Sequence, residues 1–216
     1  MIKAVLFDFD GTLIDTNNLI RSSHNFAFNK IFQRDITEKE FLKLYGRPLK
    51  SALNSEYGEY GDILLSEYLV FNEENHDTLV NKFDGAVSGV LKLKEMGFKL
   101  GIVTSKRLCT LKKGIEILNL KNIFDILITP ADTAKHKPNP EPILIACERL
   151  NIKPEDAIYV GDSVFDLEAG KGAGTKLCAV SYSLTDKEKL MSYNPDFFVD
   201  SIEELAGLLV WGFYNE

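Results

Sequence analysis

The stretch Ala4-Val5-Leu6-Phe7-Asp8-Phe9-Asp10-Gly11-Thr12-Leu13 decides how the rest of the chain is read. Four apolar residues in a row, Ala4 to Phe7, predict a strand buried in a parallel sheet. The run stops at two carboxylates and a turn-favouring glycine. Side chains alternate along an extended chain, so Asp8 and Asp10 face one way and Phe9 faces the core. Two neighbouring carboxylates repel unless one is protonated or a cation lies between them. A hard ion such as Mg2+ suits oxygen donors of this kind. Alone, a D-x-D pair is also an ordinary acidic turn, so the remainder of the chain has to separate the two readings.

Downstream, the sequence changes grammar twice. Leu13-Ile14-Asp15-Thr16 reads as a short extended excursion. Asn17 or Asn18 is the expected cap of a helix to about Arg34. Thr37-Glu38-Lys39-Glu40 is a capping box that opens a second helix through Leu44. Gly46-Arg47-Pro48 breaks it, and further helices follow over about 48–57 and 61–80. Residues from about 16 to 82 are thus read as helical throughout. From Asp84 onward, strands and helices alternate. Strands are expected at Lys99–Thr104, Ile126–Thr129, Ala157–Val160, Lys176–Val180 and, as a short edge, Phe197–Val199, and a terminal helix from about Ser201. That alternation predicts an α/β fold: a Rossmann-like parallel sheet with right-handed crossovers and helices on both faces. The first strand is too apolar to stand alone, so it must join this sheet. The expected domains are 1–15 with 84–216 as the core, and 16–83 as an inserted all-helical cap.

Bulk properties bound the function. The 216 residues are 45% hydrophobic and 26% charged, ordinary for a globular chain with a real core. A net charge of −7 gives no long-range attraction to nucleic acid or to an anionic membrane. Phosphate binding would need local cations and backbone N–H groups. Cys109, Cys147 and Cys178 are far apart, with no C-x-x-C pair, which argues against zinc and against a disulfide framework. A cytoplasmic location is the expectation. The oligomeric state is not legible.

In an open parallel sheet, ligands bind beyond the carboxyl ends of the strands, where the strand order reverses. Reading the residues just after each expected strand gives Asp8 and Asp10, then Thr104 and Ser105, then Lys135-His136-Lys137, then Gly161-Asp162-Ser163-Val164-Phe165-Asp166. Each alone has a plain structural reading: a helix cap, a solvated loop, a turn. Together and in this order, they put acids, a hydroxyl pair and a lysine at one mouth.

Those motifs resemble the haloacid dehalogenase-like hydrolase superfamily, in particular its phosphatases with a helical cap inserted after the first motif. The resemblance rests on Asp8-Phe-Asp10-Gly-Thr-Leu, Ile102-Val-Thr104-Ser105, Lys137-Pro138 and Gly161-Asp162-Ser-Val-Phe-Asp166, and covers essentially the whole chain. It implies Asp8 as a nucleophile that becomes an aspartyl phosphate. It implies Asp10 as general acid and base, which also offers its backbone carbonyl to the metal. Asp8 and Asp162 would hold Mg2+, with Asp166 as ligand or orienting group. Thr104 and the Ser105 N–H would hold phosphoryl oxygens, and Lys137 would neutralise charge. Asp10 and Asp162 argue against a metal-free dehalogenase, and Lys50 reads as a surface lysine rather than a Schiff-base lysine. A sugar phosphomutase of the β-phosphoglucomutase type shares these core motifs.

Further stretches are similar to the group of bacterial pyrophosphatases and phosphoglycolate phosphatases: Gly11 to Ile20, Tyr68 to Val80, Gly97 to Lys106 and Gly174-Thr-Lys176. The expected substrate is a small anionic phosphate compound, pyrophosphate first and phosphoglycolate second. In the cap, Arg47 is the expected contact for the anionic part of the leaving group. His76-Asp77 is read as a helix-end pair and His24 as a packing residue.

Overall fold

The computed structural model describes residues 1–213, and side chains through residue 210. The chain begins with β1 (Ala4–Phe7) and β2 (Ile14–Asp15). Four helices follow: α1 (Asn17–Phe32), α2 (Glu38–Leu44), α3 (Leu49–Tyr57) and α4 (Gly61–Leu79). Then come β3 (Asn81–Lys82), α5 (Ala86–Glu95), β4 (Lys99–Val103), α6 (Leu108–Ile117), β5 (Ile126–Ile128) and α7 (Glu141–Arg149). The chain continues with β6 (Ala157–Gly161), α8 (Val164–Ala173), β7 (Lys176–Val180), α9 (Lys187–Met191), β8 (Phe197–Val199) and α10 (Ile202–Phe213). It divides into two compact units, residues 1–15 with 82–216, and residues 16–81.

In the first unit, the six-stranded sheet has the order β5-β4-β1-β6-β7-β8, and every pairing is parallel. This is the α/β fold that the alternation predicts. From β1 the chain fills one side with β4 and β5, then the other with β6, β7 and β8. The order therefore reverses at β1, which is fully buried as its composition requires. Leu6 and Tyr159 share a core with Ile143, Ala146 and Cys147 of α7 and with Ala169 and Ala173 of α8. Alternate residues face the other way, where α5 packs on β4 and on α10. Phe9 is fully buried, and a Cβ on Gly114 of α6 would lie 2.5 Å from its ring, so only glycine fits beneath it. The three cysteines are unpaired.

The second unit is a four-helix packing around Phe28, Phe41, Leu53, Leu64 and Tyr68. The Thr37–Glu40 capping box forms as the sequence predicts. The start of α1 differs. Thr16 is the N-cap, but its φ of −105° and ψ of 6° make no side-chain cap bond. Asn17 instead accepts from the Tyr45 hydroxyl at 3.0 Å, and Asn18 from Ser22 at 3.4 Å. The asparagines expected to cap this helix serve side-chain contacts within the unit. The helix ends at Phe32, short of Arg34, because Gln33 takes a left-handed φ of 55°. The stretch is also not helical to 82: Asn81–Lys82 is extended and pairs with β2 in a two-residue ladder. The short helix α9 goes unseen in the sequence pattern, although Asp186 caps it by accepting from Glu188 and Lys189.

His24 lies buried between Phe41 and Tyr68, 4.8 Å from the Tyr68 ring centroid, as a packing residue. Burial pushes its pKa down from 6.5 to about 4. The unfolded chain therefore takes up a proton that the folded state resists. The associated stability is fully present above pH 6.5 and is lost as pH falls through the folded value, about 3 kcal/mol in all. Urea unfolding of wild type and His24→Leu between about pH 7 and about pH 4 checks this. The gap between the two proteins is expected to shift in favour of the variant as pH falls; a constant gap contradicts it.

Candidate active site

The strand register sets the site. Phe7 pairs with both Ile102 and Val160, so β1, β4 and β6 run out within one residue of one another and the residues that follow them, Asp8, Thr104 and Asp162, emerge at the same end of the sheet. Asp8 follows at once, its N–H donating to the Val160 carbonyl at 2.8 Å. The loop behind it is tied down: the Phe9 carbonyl accepts from Leu13 and Ile14, and Gly11 donates to the Ile14 carbonyl. Gly11 has φ +78°, and a Cβ there would lie 2.7 Å from Asp162 Cγ. Gly11→Ala is therefore expected to cost about 1–2 kcal/mol for the left-handed backbone alone and to push Asp162 aside. Chemical unfolding measures the first effect. A weakened affinity for a divalent metal ion, read as a raised half-saturating concentration in a phosphate-release assay, measures the second.

Three carboxylates, Asp8, Asp162 and Asp166, are buried with oxygens within 4.8 Å of one another. One lysine answers them. Lys137 Nζ lies 2.8 Å from Asp8 Oδ1, 2.7 Å from Asp166 Oδ1 and 3.1 Å from the Tyr159 hydroxyl. Its flanking Lys137–Pro138 bond is cis. Burial alone would lower the Lys137 pKa, but Asp166 and Asp8 hold it well above the usual lysine value. Burial, helped by the Asp166 and Asp10 charges, raises the Asp8 pKa to about 7 against the pull of Lys137. Three acids against one ammonium leave a formal charge of −2 in a buried space. That imbalance and the all-oxygen donor set fit a hard divalent cation.

Asp166 is fixed from behind. It closes a capping box at the start of α8, where Oδ2 accepts from the Ser163 hydroxyl at 2.5 Å and from its N–H at 3.1 Å. Oδ1 carries Lys137, with the Tyr159 hydroxyl 3.3 Å away. The Asp162 carboxylate faces the Thr12 hydroxyl at 3.5 Å, and its backbone carbonyl accepts from Ser183. Thr104 is buried, and its Oγ1 accepts the Lys106 N–H at 3.1 Å, which leaves its own O–H to donate elsewhere. Thr104, Ser105, Thr129, His136 and Lys137 line one small cleft.

Asp10 is separate from the acid cluster. It is ion-paired to Lys106, whose Nζ lies 2.9 Å from Oδ1 and 3.3 Å from Oδ2. Arg47 belongs to the helical unit, where its guanidinium holds Glu56 at 3.0 Å, Ser55 at 2.9 Å and the Lys43 carbonyl at 3.2 Å. His76 is buried in the same unit, with Nδ1 3.0 Å from Asp77. Lys50 is exposed. The motif reading overlooked Tyr159 and Lys106. Tyr159 was legible as the one polar tip in an otherwise aliphatic strand, and Lys106 as a cation two residues beyond Thr104.

The fold and site together define an α/β enzyme with an acidic, oxygen-donor centre at the switch point of its sheet. The haloacid dehalogenase-like hydrolase family matches residues 5–180, and the chain belongs to it. Among the relatives is the pyrophosphatase PpaX of Anoxybacillus flavithermus, 38% identical over 208 residues that span 96% of this chain and 97% of the relative. The pyrophosphatase PpaX of Bacillus cereus is 37% identical over 96% of each chain. A Clostridium perfringens protein that also carries the PpaX name is 42% identical over 97% of this chain and 98% of its own. The solved structure of a haloacid dehalogenase-like hydrolase from Streptococcus pneumoniae superposes with a TM-score of 0.86 at 21% identity, covering 96% of this chain and 98% of that one. Among the described residues, no helix is long and apolar enough to cross a membrane.

Proposed function

We propose that this hydrolase cleaves inorganic pyrophosphate through an aspartyl-phosphate intermediate. The carrying observation is the Lys137 ammonium set between Asp8 and Asp166 inside a buried acid cluster. The similarity to proteins named pyrophosphatase supports the choice of substrate.

Asp8 is the attacking group. One of its oxygens forms a bond to phosphorus as the bond to the leaving oxygen breaks. Asp10 gives the leaving oxygen its proton, then takes one from the water that opens the acyl phosphate. Thr104 Oγ1, the Ser105 N–H and Lys137 Nζ hold the non-reacting phosphoryl oxygens and spread their charge. Asp8 and Asp162 would hold Mg2+ together with the Asp10 backbone carbonyl, and Asp166 would orient the set. When bound, the ion supplies positive charge that keeps Asp8 ionised and balances the phosphoryl oxygens. Arg47 is a proposed contact for the anionic leaving group, and to serve there it exchanges its pairing with Glu56.

A phosphate-release screen over pyrophosphate, phosphoglycolate, sugar phosphates and nucleotides tests the reading. Pyrophosphate is expected to give the highest kcat/KM, with activity lost on chelation and restored by Mg2+. Preference for phosphoglycolate replaces the substrate and keeps the chemistry. Conversion of a sugar phosphate without net phosphate release makes the protein a mutase. No metal-dependent turnover of any of them refutes the enzyme assignment. Arg47→Ala is expected to raise KM for pyrophosphate about tenfold and for p-nitrophenyl phosphate hardly at all; equal changes remove Arg47 from substrate selection.

A further inference from the structure

Lys106 is the second cation of the site, and its placement is unusual for a lysine. Long cationic side chains normally carry their ammonium to water. Lys106 follows the exposed Ser105, yet its side chain is only 9% exposed and turns inward to Asp10. Its backbone N–H is anchored to Thr104 Oγ1 at 3.1 Å, so the start of the side chain is fixed by a residue of the phosphoryl-binding loop. Its Nζ touches both Asp10 oxygens. Lys137 is already shared between Asp8 and Asp166 and has little left to offer a second anionic group.

We infer that Lys106 selects substrates whose departing part is itself anionic. The inference rests on the reading of Asp10 as proton donor to the leaving oxygen. A leaving oxygen that shares a proton with Asp10 lies about 2.6–3.0 Å from a carboxylate oxygen. Lys106 Nζ lies 2.9 Å and 3.3 Å from the same two oxygens, which puts the ammonium within roughly 6 Å of the leaving oxygen. Negative charge carried on the leaving group then falls beside a desolvated ammonium, where it is weakly screened. Orthophosphate leaving from pyrophosphate carries such charge, as does the carboxylate of glycolate. The nitrophenyl group of p-nitrophenyl phosphate offers none at that place. Lys106 is thus a specificity-determining residue, distinct from the Lys137 that meets the transferring phosphoryl group.

The test compares kcat/KM for pyrophosphate and for p-nitrophenyl phosphate in wild type, Lys106→Met, Lys106→Gln and Lys106→Arg. The neutral variants are expected to lower the pyrophosphate-to-nitrophenyl ratio about 30-fold or more, chiefly through KM for pyrophosphate, and arginine to restore it to within about threefold. Should the methionine variant fail to fold, the glutamine and arginine variants read the same ratio. An unchanged ratio, with both substrates losing equally, overturns the inference. If wild type prefers phosphoglycolate, that substrate takes the place of pyrophosphate in the ratio; the pyrophosphate reading then fails while the role of Lys106 is still decided. If Asp10→Asn turns over both substrates at the wild-type rate, the reading of Asp10 fails, and this inference with it.

Discussion

Asp8→Asn is expected to lower phosphate release by about a thousandfold or more while the protein stays folded. The amide keeps the shape of the carboxylate and can still accept the Lys137 hydrogen bond seen at 2.8 Å. What it lacks is a nucleophilic oxyanion. The effect on stability runs opposite to the effect on activity. Burial raises the Asp8 pKa from 3.8 to about 7. A group whose folded pKa is raised contributes stability that is fully present below its unfolded pKa, here 3.8, and lost as pH rises through the folded value near 7. Above that pH, charged Asp8 opposes folding in the absence of metal. The asparagine variant removes this charge, so its Tm at about pH 8 in metal-free buffer is expected to equal or exceed that of wild type. Loss of activity with a collapsed Tm would mean that Asp8 is structural; retained activity would remove it as nucleophile. Nucleophiles commonly carry such a stability cost, because what the reaction needs is not what packing prefers.

Lys137→Met is expected to damage both properties. Lys137 is buried and supplies the ammonium shared by Asp8 and Asp166. Removing one partner of a buried ion pair leaves the other charge without compensation, which costs about 3–5 kcal/mol. Here two carboxylates lose their partner, and the Tyr159 hydroxyl loses a neighbour 3.1 Å away. Urea unfolding in chelator should show this loss directly. Saturating Mg2+ is expected to return part of the stability, because a cation that binds only the folded state stabilises it by mass action. Phosphate release should stay undetectable even then, because in the proposed mechanism the ion does not replace the Lys137 ammonium at the phosphoryl oxygens. A loss below about 1 kcal/mol in chelator would show that the acids are not ionised together and would remove the charge argument for a divalent ion.

The four motifs were legible because their constraints are local. A strand buried on both faces reads as an unbroken apolar run, and β1, β4, β6 and β7 were found that way. A parallel sheet also aligns its carboxyl ends, so the residue after each strand is a candidate by position alone. The first residues of α1 were misread because Asn17 and Asn18 are good caps by composition, and only the folded helical unit supplies the Tyr45 hydroxyl and the Ser22 side chain that engage them. The two-residue β3 and the five-residue α9 are too short to carry a hydrophobic period. Arg47 showed a break in helical pattern but not its commitment to Glu56, which depends on how α2 and α3 turn against each other.

The sequence by itself determined the parallel α/β core, the helical insertion and the identity of the acids, because periodicity and strand-end position are properties of the chain read in order. The tertiary structure decided which charges meet. That Lys137 joins Asp8 to Asp166, that Lys137 also reaches Tyr159, and that Asp10 turns to Lys106 instead of joining the other acids all depend on residues between 22 and 129 positions apart. Contacts of that separation are set by strand order and register. Neither is written in any single stretch of sequence, because they follow from packing the whole sheet at once.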